Sequence, residues 1–519
     1  DSPVPIFPIY DSEGLRGVLN NTRYPQPGDA NPIVKIGFVK ADGVNITWGD
    51  FDSTIDQYFG IPVWQYDSKT LFLPWANRDQ NNLKVYQIDV NTGKTKEVYD
   101  EKQKAWISLD ETNIITLLND QTGFIIRSDK DGWMNLYLYD MNGKFKNEIT
   151  SGLGDVNEIL FIDENSKSEK RLLIFTASKE NSMRTDLYSV QLDGKNFKRL
   201  SFGEYNHEIE VSPGAQFFAS TYSNHSDAGG IAIIDRNGKQ QKIFGLKNLL
   251  LNDYNIPVVK LFTVKSDDGL FDLPVEITFP ANFDSTKKYP VMVNIYGGPN
   301  AKNITDDYSL YPQTIWWAQE GIVQVTMDHR ASGQFGKRGA EYMYRDLGHW
   351  EVTDYATVIK YLESKGWVNE KKVCISGFSY GGYVTCLALT KGSGVFTHGI
   401  AGGSVVDWSL YDNIYTERYM DKPIDNVEGY KSSSVLTYAD KYKGKLLLVH
   451  GTSDDNVHVQ NTLQLVKALQ DKKKDFELML YPTGKHGWGG NQGKHYSNLS
   501  NEFIYKYILE KPIPDGVLK

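Results

Sequence analysis

Apolar and polar residues alternate with a period of two through the first half of the chain, in short runs that each close on a glycine. "VKADG" ends at Gly43, "VYQIDVNTG" at Gly93, "LYLYDMNG" at Gly143, "LYSVQLDG" at Gly194 and "IAIIDRNG" at Gly238. Each unit reads as an apolar strand, a tight turn of Asp or Asn with Gly, and a second strand such as "KTKEVY", "KFKNEIT" or "NFKRLS". A repeat of roughly 44 to 51 residues carrying short strands is the signature of β-propeller blades. Unrelated hairpins of a β-sandwich would not keep so even a spacing. Five units are expected over residues 1–254, the first of them starting abruptly.

Near residue 255 the period changes. "PVMVNIYGG", "GIVQVTM", "KVCISG", "HGIAGG", "KLLLVHG" and "FELMLYP" are short, nearly continuous apolar strands. Between them Val352, Tyr355, Ala356, Ile359 and Leu362 fall at helical spacing, with Gly366 as a C-cap; Leu499, Phe503, Ile504, Tyr507 and Ile508 repeat the pattern near the end. Strands apolar on both faces, alternating with helices, predict a mostly parallel, doubly wound α/β sheet over residues 255–519.

Composition narrows the classes. The chain has 519 residues, 40% hydrophobic and 23% charged, enough for a large core and two or more domains. A net charge of −9 and a pI near 5.6 offer no basic face for nucleic acid. No apolar run approaches the ~18 residues of a membrane span. No signal peptide is visible, and a chain opening on Asp1 reads as a processed or trimmed product. Cys374 and Cys386 read as buried small hydrophobes with no disulfide between them. HExxH, paired-cysteine, P-loop and strand-linked dinucleotide motifs are all missing, so neither a metal nor a cofactor is expected.

The chemistry centres on "KVCISGFSYGGYVTCLAL". An apolar strand runs into Gly377-Phe378-Ser379-Tyr380-Gly381 and an apolar helix follows, the setting of a nucleophile elbow. Glycines two residues either side of the serine let strand and helix pass closely, and the helix N-terminus favours a developing anion. The serine needs a base and an acid, in the order Ser, acid, His along an α/β-hydrolase chain. Asp454 and Asp455 follow the strand "KLLLVHG", where such folds keep their sites. Pattern leaves both open; the one not used would be a helix-capping or structural carboxylate. His486, in "TGKHGW" after "FELMLYP", is the candidate base, with His495 the weaker one. His450 reads as packed at a strand end, and His458 as opening a helix. For the oxyanion, the Tyr380 amide is one donor and the Tyr296 hydroxyl, in "VNIYGGPN", a second. The tract Val405 to Tyr415 is too aromatic for an ordinary exposed loop.

A propeller followed by an α/β-hydrolase with "GFSYGGYVT", "VVDWSLYDNIYTERYM" and "HGTSDDNVHVQ" resembles the dipeptidyl peptidase IV family of the prolyl oligopeptidase clan, in a bacterial form. The resemblance is close over the hydrolase half and loose over the propeller. It implies Ser379, Asp454 and His486 as the triad and Tyr296 as oxyanion donor. It also implies a proline pocket of Tyr380, Val405, Trp408, Tyr411, Tyr415 and Val457, with Asn456 near the substrate carbonyl. Glu417 and Arg418 read as structural pairing residues. The implied activity is a serine exopeptidase releasing Xaa-Pro, and less well Xaa-Ala, dipeptides through an acyl-enzyme. A flat pyrrolidine ring is well held between aromatic faces.

Two features depart from the family. This chain has no Glu-Glu dipeptide to grip the substrate amine and no matching propeller arginine. The family propeller has eight blades, and "DSPVPIFPIYDSEG" resembles a point within it, so further blades are expected to lie outside this chain. If they were cleaved, an N-terminal fragment of the same protein stays associated; without them strand edges stand open and exopeptidase selectivity collapses. The resemblance further implies a homodimer and a periplasmic or other extracytoplasmic location. The alternatives are a prolyl tripeptidyl peptidase, whose kind carries a glutamate where Asp412 stands, an inactive propeller–hydrolase interaction protein, and an esterase or endopeptidase.

Overall fold

In the computed structural model the described residues are 1–519 without 110–113, 164–169, 246–254, 393 and 517–519. The boundary expected at residue 255 abuts 246–254, which lie outside the described residues.

The first half is a series of antiparallel sheets. A hairpin of Gly37–Val39 and Ile46–Trp48 is followed by a five-stranded sheet from Gln57–Phe59 to Thr95–Lys102. Three four-stranded sheets then begin at Ile115–Leu117, Val156–Ile162 and Asn206–Val211. These are the five expected units, and they form the blades of a β-propeller, the first reduced to two strands. The repeated glycine turns join neighbouring strands within each unit. Gly143 shows why glycine recurs there. Its φ is +85°, and a Cβ on it would lie 2.1 Å from the Val98 carbonyl oxygen on the outer strand of the preceding sheet. The turn of one unit therefore seats against its predecessor, closer than a side chain allows. Buried aliphatic and aromatic residues fill the space between consecutive sheets, as Phe72 and Val85 do against Phe124 and Ile126. The exposed hairpin Ile6–Asp11 with Val18–Arg23 is an element the periodicity did not predict.

The second half carries one eight-stranded sheet. Its order is Val259–Lys265, Asp272–Thr278, Val323–Met327, Tyr289–Asn294, Val368–Phe378, His398–Gly402, Lys445–Gly451, Glu477–Tyr481. The last six are the predicted apolar strands, and they pair parallel. The first two pair antiparallel at one edge. Their apolar runs are broken by Lys260 and Thr263 in the first and by Pro274 and Glu276 in the second, so strand–helix alternation does not reveal them. The two predicted helices form at Trp350–Glu363 and at Gly490–Phe503, the latter continuing as a wider turn over Ile504–Leu509. Cys374 and Cys386 are buried and free, and burial pushes both thiols up to about 12.

The halves meet through buried ion pairs. Arg78 grips Glu417 with two bonds of 2.7 Å, donates to Asp56 at 2.9 Å and to the Asp29 carbonyl at 2.7 Å. Arg418 donates to Gln80. The pairing expected of Glu417 and Arg418 is thus with the propeller rather than with each other. Asp306 takes Arg184 and His225 in the same way, each at 2.7 Å. The Arg78 and Glu417 side chains are 9% and 2% exposed, and truncating one partner leaves the other charge buried, a cost of about 3–5 kcal/mol. Arg78→Ala should therefore lower the melting temperature more than Lys84→Ala, which breaks a half-exposed pair with Glu97. Equal shifts in calorimetry would contradict that ranking.

Candidate active site

Strand Val368–Phe378 ends one residue before Ser379, and helix Tyr380–Leu389 begins one residue after it. Ser379 has φ +59° and ψ −117°, a conformation costing a non-glycine residue about 1–3 kcal/mol. The surroundings enforce it. A Cβ on Gly377 would stand 2.5 Å from the Gly381 carbonyl, and one on Gly381 would stand 2.6 Å from the Ile295 oxygen. The Ser379 amide donates to the Gly402 carbonyl at 2.8 Å, tying the turn to the neighbouring strand.

The side chains that sequence order brought together are in contact. His486 Nε2 lies 2.9 Å from Ser379 Oγ, and His486 Nδ1 lies 2.8 Å from Asp454 Oδ2. Geometry also separates the two aspartates. Asp454 is 2% exposed, and its Oδ1 accepts the amides of Asn456 and Val457 at 3.0 Å each. Asp455 is exposed and pairs with Lys485 at 2.9 Å; it caps no helix, contrary to one of the roles left open for it. Burial alone would push the Asp454 carboxyl up. Hydrogen bonds from His450 and His486, and the charge of both rings, outweigh it and hold the group at about 2. His450 is packed at its strand end, as expected, and also stands 3.3 Å from Asp454. His495 bonds instead to the Tyr481 hydroxyl. His458 precedes helix Gln460–Asp471 and stacks on Phe7 with centroids 3.6 Å apart.

Two groups neighbour the serine, the Tyr380 amide in sequence and the Tyr296 hydroxyl in space. The Tyr380 amide belongs to the first turn of its helix, where backbone N–H groups have no acceptor within the helix and the dipole favours an anion. Tyr296 follows strand Tyr289–Asn294 and is 42% exposed. Burial pushes its hydroxyl up, and a hydrogen bond with Ser379 opposes that. The Tyr296 amide donates to Asn303 Oδ1 at 3.0 Å, and Asn303 donates through its backbone to Asp328 at 2.8 Å. That chain fixes the loop carrying Tyr296.

Next to the serine, reached through Tyr380, stands a cluster of aromatic rings. Trp408 stacks on Tyr415 at 5.9 Å and 19°, and packs against Tyr380 at 5.4 Å and Tyr411 at 6.0 Å. Val405 and Val457 are buried with it in the same core. Asn456 accepts the Tyr411 hydroxyl at 2.7 Å through its side chain and the Tyr24 hydroxyl at 2.8 Å through its carbonyl. Tyr24, His450, Asn303 and Asp328 are contributors that the sequence reading did not assign. His450 lies four residues before Asp454, a spacing that could have flagged it; Tyr24 is 432 residues from its partner and carries no local signal. Among the described residues, no group of three or more His, Cys, Asp or Glu is placed to hold a metal ion, and no helix is long and apolar enough to cross a membrane.

An α/β-hydrolase sheet joined to propeller blades, with serine, histidine and aspartate hydrogen-bonded at its strand ends, is the architecture of a propeller-capped serine hydrolase. Residues 308–511 match the prolyl oligopeptidase family, and residues 1–228 match the dipeptidyl peptidase IV (DPP IV) N-terminal region. The chain is similar to prolyl endopeptidase FAP of Bos taurus, 29% identical over 97% of this chain and 69% of that protein. It is 28% identical to dipeptidyl peptidase 4 of Felis catus, over 97% and 69%. The crystal structure of a putative dipeptidyl aminopeptidase IV from Bacteroides ovatus superposes with a TM-score of 0.89 at 30% identity, over 98% of this chain and 74% of that one. The chain belongs to the dipeptidyl peptidase IV family of the prolyl oligopeptidase clan, and it is a serine peptidase.

The Asp454 environment sets a pH dependence. Its folded value, about 2, lies below the ~3.9 of an unfolded aspartate. Its contribution to stability, about 2–3 kcal/mol, is therefore complete above pH ~4 and is lost as the pH falls through ~2. The melting-temperature gap between wild type and Asp454→Asn should shrink as the pH falls from about 4 toward 2. A gap that keeps widening over that interval would contradict this.

Proposed function

We propose that this protein releases N-terminal dipeptides from peptides when proline, and less well alanine, is the second residue. The reading rests on one observation: the hydrogen-bonded Ser379–His486–Asp454 chain stands next to a cluster of contacting rings, Tyr380, Trp408, Tyr411 and Tyr415. Rigid aromatic faces fit a pyrrolidine ring at P1 and leave little room for a branched chain.

In this reading His486 takes the Ser379 proton as Oγ attacks the P1 carbonyl. The Tyr380 amide and the Tyr296 hydroxyl receive the oxyanion. Asp454 holds His486 and stabilises the imidazolium. The imidazolium then protonates the leaving amine, giving an acyl-enzyme that water hydrolyses by the reverse sequence. Asn456 sits where a substrate carbonyl is oriented, and Val405 and Val457 complete the P1 wall. Asp412 caps helix Asn413–Met420 by accepting the Tyr415 amide at 2.8 Å. An aspartate engaged there supports dipeptide over tripeptide release. The name of the Bos taurus relative keeps a prolyl endopeptidase as the second reading. The proposal extends to a domain boundary near residue 255, a homodimer and an extracytoplasmic location.

Wild-type protein should release the chromophore from a Gly-Pro amide, and Ser379→Ala should abolish it. Asp454→Asn should cost on the order of 10⁴-fold in kcat, while Asp455→Asn should stay within about twofold, as expected of a surface pair. Undiminished turnover by Ser379→Ala would sink the proposal. Equal cleavage of an N-acylated Gly-Pro amide would favour the endopeptidase reading.

A further inference from the structure

One buried carboxyl behind the site has no part in the acyl-transfer scheme. Glu351 stands at the second position of helix Trp350–Glu363 and is 0% exposed. Its Oε1 accepts the Tyr380 hydroxyl at 2.6 Å. The Gly348 amide donates to both carboxylate oxygens, at 2.9 and 3.0 Å. The groups that face it are Tyr380 and Tyr383 from helix Tyr380–Leu389, Tyr355 from its own helix, and Lys391 just beyond the former. Lys391 acts from a distance, and its Nζ donates to the Ser432 carbonyl. Burial pushes the Glu351 carboxyl up to about 7 against the hydrogen bonds from Tyr380 and Gly348.

A carboxyl buried without a salt bridge is expensive to keep, and an apolar residue would fill the same space more cheaply. What Glu351 supplies that leucine would not is an acceptor for one particular hydroxyl. Tyr380 is the residue with two faces on the site. Its amide opens the helix after Ser379, and its ring packs 5.4 Å from Trp408 and 6.1 Å from Tyr296. The backbone end of Tyr380 is fixed by the strained turn. The hydroxyl end is fixed by Glu351. The anchor itself is rigid: a Cβ on Gly348 would lie 2.3 Å from both the Tyr383 hydroxyl and a Leu387 methyl, so the turn before the helix is wedged against helix Tyr380–Leu389.

We propose that Glu351 is a positioning residue for this peptidase, holding the Tyr380 ring through its hydroxyl so that the P1 enclosure keeps the shape that selects proline over alanine. The inference rests on the dipeptidyl peptidase reading above. Loss of the acceptor frees one wall of the enclosure. The penalty falls on the substrate that uses that wall fully, and much less on a smaller P1 side chain.

The test compares kcat and KM for Gly-Pro and Gly-Ala chromogenic amides in wild type, Glu351→Leu, Glu351→Gln, Tyr380→Phe and the Glu351→Leu/Tyr380→Phe double variant. Folding is followed by melting temperature and by fluorophosphonate labelling of Ser379. Glu351→Leu and Tyr380→Phe should each lower kcat/KM for the proline amide about tenfold, the usual effect of losing one buried hydrogen bond, with the alanine amide within about threefold. Glu351→Gln keeps an acceptor oxygen and should recover most of the Pro:Ala ratio. The double variant should lose no more than either single, because both remove the same contact. If Glu351→Leu does not fold, Tyr380→Phe and Glu351→Gln carry the comparison. A Pro:Ala ratio within twofold of wild type in labelled Tyr380→Phe overturns the proposal, as do losses that multiply in the double variant. Turnover that survives Ser379→Ala overturns the peptidase reading itself; Ser379-dependent turnover with an unchanged ratio removes only the role of Glu351.

Discussion

The left-handed backbone of Ser379 is the constraint on which the rest of the site depends. It holds the hydroxyl above the sheet edge at the start of a helix, and it persists only because the packing around it admits no other path. Gly377 and Gly381 touch, Gly381 touches the strand carrying Tyr296, and the Ser379 amide is tied to the next strand at Gly402. From there the sheet order distributes the chemistry. The strands ending at Phe378, Gly402, Gly451 and Tyr481 are consecutive parallel neighbours. The loops that follow them carry, in turn, the serine, the aromatic tract, Asp454 and His486. The strands before Ser379 and His486 are three spacings of about 5 Å apart, so the loops beyond the strand ends make the 2.9 Å contact.

The surroundings of the aromatic cluster are tied to both halves of the molecule. Helix Asn413–Met420 presents Tyr415 to Trp408 and delivers Glu417 to Arg78 of the propeller. Tyr24, far away in sequence, reaches Asn456. The propeller side is therefore bonded directly to residues next to the triad. Charge buried at Arg78–Glu417 and at Asp306–Arg184 makes a shifted docking costly, since each guanidinium would lose a desolvated partner.

Much of this was legible in the residues. Glycine turns at an even interval marked blades, because a turn that seats on the preceding blade cannot carry a side chain. Ser379, Asp454 and His486 were legible because each follows an apolar strand in the order a hydrolase sheet demands. Pattern could not separate Asp454 from Asp455, since both follow the same strand; burial and two backbone amides distinguish them. The antiparallel strands Val259–Lys265 and Asp272–Thr278 escaped: the first is a half-exposed edge strand, and the second, though buried, has its apolar run interrupted by Pro274 and Glu276. Glu417 pointed to pairing, but not to a partner 339 residues away.

The sequence by itself determined the period of the repeats, the switch to strand–helix alternation, the nucleophile turn and the order of the three polar residues. These are local properties, set by side-chain periodicity and by backbone angles that only glycine or a forced serine adopts. The tertiary structure alone decided which carboxylate meets His486, that His450 backs it, that Tyr24 reaches Asn456 and Arg78 reaches Glu417 from the first half, and that Glu351 lies behind Tyr380. Those are facts of burial and proximity between distant segments. Desolvation and contact energies depend on where a group ends up, and the chain records that only once it is folded.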